Sequence, residues 1–194
     1  MDGFIARHIF KRRFKSPYDT LSRYGVLLHC FTMPLLTRVF PEVFSPSLGA
    51  IQTQECFDQF IHLPHIKSLG GRRYKCFDLL RTVLAEEVRG KEPGIWEHYH
   101  KLAVEVIPTT PGMPAMPTLS AEWHYHNIAY RLSQGDAAAV AYWKQMLLET
   151  EASSMSRAAL IEAVHDETLL LTAVAREAQS YKQKQSISSG DGCV

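Results

Sequence analysis

A single Gly-Gly pair, Gly70-Gly71, separates two short apolar runs, His65 to Leu69 and Tyr74 to Phe77. Glycine reaches the left-handed backbone conformations that a tight strand reversal demands, so the pattern predicts a β-hairpin. Asp78 follows at once, with a short acceptor side chain suited to the free N–H groups of a helix's first turn. Leu79, Leu80, Val83, Leu84 and Val88 then recur at helical spacing and make one apolar face. Before the hairpin, Ile51, Cys56, Phe57, Phe60 and Ile61 suggest another helix, ended before Pro64. Helix, small wing, helix is the layout that constrains the first half of the chain.

Prolines and glycines divide the rest. Ser16-Pro17 starts a helix running to about Cys30, with Tyr18, Leu21, Tyr24, Gly25 and Leu28 at helical spacing. Pro34 opens a short helix, Leu35 to Phe40, and Pro41 stops it. Arg89-Gly90-Lys91 carries the chemistry of a helix C-terminus. From Glu92-Pro93 onward, Ile95, Trp96, Tyr99, Leu102, Ala103, Val106 and Ile107 form a further stripe that Pro108 ends. Residues 108–118 hold four prolines and a glycine and read as a linker. Helices are expected at about 119–133 and 136–149, joined at Gly135-Asp136, with a helical span at 157–184. The expected organisation is a winged-helix-like domain at 1–107, a linker at 108–118, a helical-hairpin domain at 119–185 and a disordered tail at 186–194. The fold class is mainly α, with a small β-hairpin in the first half and a tetratricopeptide-like helical hairpin in the second.

A net charge of +1 and 46% apolar residues imply neither wholesale disorder nor a surface coated for nucleic acid. No apolar run is long enough to span a bilayer and no secretory signal is visible, so no membrane partner is expected. Cys30, Cys56, Cys76 and Cys193 form no C-x-x-C pair, which suggests free thiols in a reducing cytoplasm. Neither a phosphate-binding G-x-x-x-x-G-K-[ST] loop nor a G-x-S-x-G elbow occurs, so the expectation is a chain without a cofactor and without an enzymatic role.

Two constellations stand out as candidate sites. His98-Tyr99-His100-Lys101-Leu102-Ala103 is echoed by His124-Tyr125-His126-Asn127-Ile128-Ala129, with Trp96 and Trp123 just upstream. Imidazole is a common metal ligand, so His98, His100, His124 and His126 are the candidate metal set. Against that, H-x-H on a helix turns its two rings about 200° apart, and flank histidines on packing helices are the plainer reading. Lys11, Arg12, Arg13 and Lys15, with Arg72 and Arg73 on the wing, are the candidate nucleic-acid contacts, and Lys75 is a further cation expected on the wing. The recognition helix such a role needs would lie at about 49–61, where acidic residues stand and lysine and arginine do not.

Residues 18–107 resemble the region that follows the nucleotide-binding core of STAND-class signalling ATPases of the maltose-activator type. The matching stretches are Leu21 to Leu28, Tyr74-Lys75-Cys76-Phe77-Asp78-Leu79-Leu80-Arg81 with Leu84, and Pro93 through His100 to Ala103. Tyr125, Ile128, Ala129, Leu132 and Ala141 resemble a tetratricopeptide hairpin, with Gln145 and Leu148 where that pattern prefers an aromatic residue and an alanine. The resemblance implies a winged-helix unit followed by helical repeats in a signalling protein. The family's nucleotide-sensing histidine is replaced here by Phe77, which cannot donate a hydrogen bond to a phosphate.

The leading expectation is a non-enzymatic regulatory module that presents helical surfaces to a protein partner or to a second copy. A winged-helix DNA-binding regulator is the second reading. A metal-dependent helical enzyme built on the two H-Y-H segments is the third.

Overall fold

The computed structural model describes residues 18–44, 49–110 and 118–149. The chain divides into two compact units, Met1–Pro114 and Ala115–Val194. The predicted helix start at Ser16-Pro17, the linker residues 111–117, the 157–184 span and the 186–194 tail lie outside the described residues.

The first unit begins with α1 (Tyr18–Tyr24), which tightens into a 3-10 turn over Gly25–Leu27. The helix expected to reach Cys30 therefore ends earlier, and Leu28 is already extended. Gly25 permits the close approach at this point. A Cβ there would stand 2.7 Å from the ring of the buried Phe60. Next comes α2 (Met33–Val39), which starts two residues and ends one residue earlier than the expected Leu35 to Phe40. Thr32 caps it, its hydroxyl accepting from the Leu35 N–H at 3.3 Å, with Pro34 in the first turn. Leu21, Val26, Leu27, Leu28, Phe31, Leu35, Leu36, Val39 and Phe40 are all buried and form the centre of this unit.

α3 (Ala50–Ile61) leads into the hairpin, β1 (Ile66–Gly70) paired antiparallel with β2 (Arg73–Cys76). Its reversal sits one residue later than the Gly-Gly pair suggested. Gly71 and Arg72 are the two central residues, at φ 58° and 59°, the left-handed pair of a type I′ turn. Gly70, at φ 81°, belongs to a bulge that shifts the register between Ser68 and Gly70. Phe31, between α1 and α2, bridges to Tyr74 and acts as a one-residue third strand. Helix, bridge, two helices and hairpin, with the first extended residue beside the last strand, is the order of a winged helix.

α4 (Asp78–Lys91) follows, with Phe77 as its N-cap and Asp78 as its first helical residue. The expected stop at Gly90 is overrun, because the helix continues to Lys91 and Glu92 closes it. Glu92 also precedes α5 (Pro93–Val106), which a second 3-10 turn, Ile107–Thr109, continues. Three polar clasps hold these helices to the winged helix. The Glu92 carboxylate accepts from the Arg23 guanidinium and, at 2.7 Å, from the Tyr24 hydroxyl. The Tyr99 hydroxyl donates to Glu42 at 2.5 Å. Arg38 donates to the Val106 carbonyl, Thr109 and Thr110 at 3.3, 2.9 and 3.0 Å, where a cation suits the end of a helix.

The second unit contains α6 (Thr118–Ser133) and α7 (Asp136–Glu149), reversed at Gly135, whose φ is 121°. Tyr125, Ile128, Ala129 and Leu132 of α6 and Ala139, Trp143 and Met146 of α7 are buried. Gln145 is exposed and Leu148 is 66% exposed, so these two departures from the repeat pattern fall on α7's outer side.

Candidate interaction surface

The hairpin has two unlike faces because successive strand side chains alternate. Ile66 and Cys76 are buried, and the Tyr74 ring lies 6.0 Å from Phe31 and 5.6 Å from Phe57, so this face closes on the core. The other face carries Lys67 directly opposite Lys75, then Arg73, with Leu69 and Phe77 at its ends. Leu69 is 41% and Phe77 46% exposed. The Lys67 ammonium stands 5.9 Å from the Phe77 ring centroid, a cation–π pair that places both on the same surface. Arg72 is exposed at the turn. Of the residues predicted as nucleic-acid contacts, Arg72 and Arg73 thus share the hairpin, whereas Lys11, Arg12, Arg13 and Lys15 lie outside the described residues. Lys67, Lys75 and Phe77 complete the face. Their strand register could have been read from the Gly-Gly turn, but the bulge hides it.

The solvent side of α3 is chemically different. Ile51 is 76% exposed there, beside Gln52, Gln54, Glu55 and Gln59. The Gln52 side chain accepts the Gly49 N–H at 2.8 Å, and Gln54 donates to Asp58 at 2.7 Å. Both amides are therefore engaged within the helix and its cap. α3 carries no lysine or arginine.

The base of the hairpin is a hydrogen-bonded joint. The Phe77 N–H donates to the His65 carbonyl at 2.8 Å. Burial holds the His65 imidazole below its ordinary pKa, favouring the neutral ring. Burial and then the hydrogen bond to Glu92 push the Tyr24 hydroxyl up to about 12. Burial, followed by the bond to Glu42, raises Tyr99 further. Burial also raises the Cys56 thiol, the direction of an inert core cysteine.

The two H-Y-H segments lie in different units. In each, the tyrosine and second histidine are buried and the first histidine is less so: His100 and His126 are at 0% exposure, whereas His98 is exposed and His124 half-buried. Helical spacing has therefore given the two rings of each pair unlike surroundings. Each buried ring is met by the residue four positions earlier. Trp96 stands 4.2 Å from His100 between ring centroids, and Glu122 lies 3.1 Å from His126. The sequence echo is thus a shared packing pattern with a different partner in each copy. His124 reaches the Tyr142 hydroxyl at 2.7 Å, across the α6–α7 pair. Among the described residues, no group of three or more His, Cys, Asp or Glu could hold a metal ion. Also among them, no helix is long and apolar enough to cross a membrane.

No family model matches the chain, and no curated protein or solved structure matches it significantly.

Proposed function

We propose that the chain is a non-enzymatic interaction module of a cytoplasmic regulatory protein. In this reading it is related to the winged-helix and helical-repeat region that follows the core of STAND-class signalling ATPases. The observation that carries it is Ile51, 76% exposed on the helix that a DNA-binding winged helix would present to a groove. A large aliphatic side chain among engaged glutamines and a glutamate suits a protein surface better than polyanionic phosphate. In vivo photocrosslinking from a benzophenone amino acid at Ile51 tests the reading. Protein adducts, including adducts to a second copy, are expected there and not from the same probe at His98; adducts to nucleic acid would contradict it.

A DNA-binding regulator is the second reading, and the winged-helix order with Arg72 at the wing tip is in its favour. It lacks the cationic helix face that supplies phosphate and guanine contacts in such proteins.

A further inference from the structure

We propose that the β1–β2 hairpin of one copy of the chain docks on the solvent side of α3 of a second copy. The inference rests on the interaction-module reading and names the two surfaces that meet and the partner, the chain itself.

Charge separates the two surfaces. The hairpin from Ile66 to Cys76 contains lysine and arginine and no aspartate or glutamate, whereas α3 contains Glu55 and Asp58 and no lysine or arginine. Arg72 is exposed at the turn, Lys67 and Arg73 are half-buried on the strands, and Glu55 is exposed on α3. Both surfaces belong to the first unit. Yet among the described residues no ion pair joins Lys67, Arg72 or Arg73 to Glu55 or Asp58. The opposite charges stay apart within one chain, and a second copy brings them together.

Each charged surface also carries its own apolar anchor. Among the described residues of the first unit, the exposed large apolar side chains are Ile51 on α3 and Leu69 and Phe77 on the hairpin. Ile51 set against Leu69 and Phe77, with Glu55 and Asp58 toward the cations, makes an apolar centre with a charged rim, the usual composition of a protein interface. An acidic partner would suit the hairpin and leave α3 uncovered, and a basic partner the reverse. A second copy covers both.

The test is sedimentation velocity of the full chain over a wide concentration range at low and high salt. Reversible self-association that weakens with salt is expected. Arg72→Glu with Arg73→Glu sets acid against acid, and Glu55→Arg with Gln59→Arg sets base against base. Like charges brought face to face are costly, so each variant alone should sediment as a monomer. An equimolar mixture of the two should associate again, because each altered surface then meets its complement; that recovery also shows that both variants fold. Ile51→Ser should weaken association by about tenfold or more and leave its salt dependence unchanged. A wild-type chain that stays monomeric at every concentration overturns the inference. So does association that either charge-reversed variant retains, a mixture that stays monomeric, or an Ile51→Ser variant that associates as the wild type does. Crosslinks from Ile51 to a different protein, with the chain monomeric, overturn it and leave the interaction-module reading standing. Nucleic-acid adducts at Ile51 overturn both.

Discussion

Phe31 and Tyr74 exchange both backbone hydrogen bonds, each at 2.9 Å. An isolated two-stranded hairpin is marginal in water. Here the single bridge ties β2 to the chain between α1 and α2, and the Phe31 ring lies 5.3 Å from Phe60 beneath it. Phe31→Ala should therefore cost about 3–5 kcal/mol, read from urea unfolding, and should deprotect the hairpin amides in hydrogen exchange. A loss below about 1 kcal/mol would mean that the wing does not depend on this contact.

Gly25→Ala should lower stability by about 1–3 kcal/mol, the range for overpacking a filled core. The strain has a named source, the Phe60 ring 2.7 Å from the added methyl. Phe60→Leu should therefore cost less in the Gly25→Ala background than in the wild type. Additive effects in the double-mutant cycle would place the strain elsewhere.

Arg72 occupies a left-handed conformation at φ 59° in which a β-carbon is crowded. Asparagine tolerates that region, so Arg72→Asn should raise stability by about 0.5–1 kcal/mol. Gly71→Ala, at φ 58°, should lower it by a similar amount. Thermal melting of both variants checks the turn type.

The pH dependence should have two edges. The His65 pKa is lowered in the fold, so its contribution is complete above the ordinary value of 6.5 and is lost as pH falls below it. Stability should drop on that side, and His65→Gln should flatten the drop. The Tyr24 pKa is raised from 10.0 to about 12, so its contribution is complete below pH 10.0 and is lost as pH rises toward about 12. Tyr24→Phe should shrink that alkaline edge, and Tyr99, also raised, should account for part of the remainder. Urea midpoints across pH for the three proteins measure both edges.

Element existence was legible wherever a strong local signal stood. Gly70-Gly71 marked the hairpin, Pro93 opened α5, and Gly135 separated α6 from α7. Boundaries moved at two glycines, for different reasons. α4 runs on through Gly90, which keeps a helical backbone in open space, and α1 tightens at Gly25 where the Phe60 ring packs against it. The Phe31 bridge is a single extended residue and leaves no periodicity to read. Arg72, Arg73 and Lys75 were visible as wing cations. Lys67 and Phe77 gathered beside them only once the register was known. Glu42 and Glu92 look like ordinary surface acids until Tyr99 and Tyr24 are seen to reach them from distant helices.

The central claim is that this winged helix offers its surface to protein and not to DNA. Titrating labelled mixed-sequence duplex DNA with the full chain at low salt, where phosphate contacts are strongest, tests it most directly. The account predicts no saturable anisotropy change, and no difference between the wild type and a variant with Arg72 and Arg73 replaced by alanine. Saturable, steeply salt-dependent binding that this variant abolishes would contradict it.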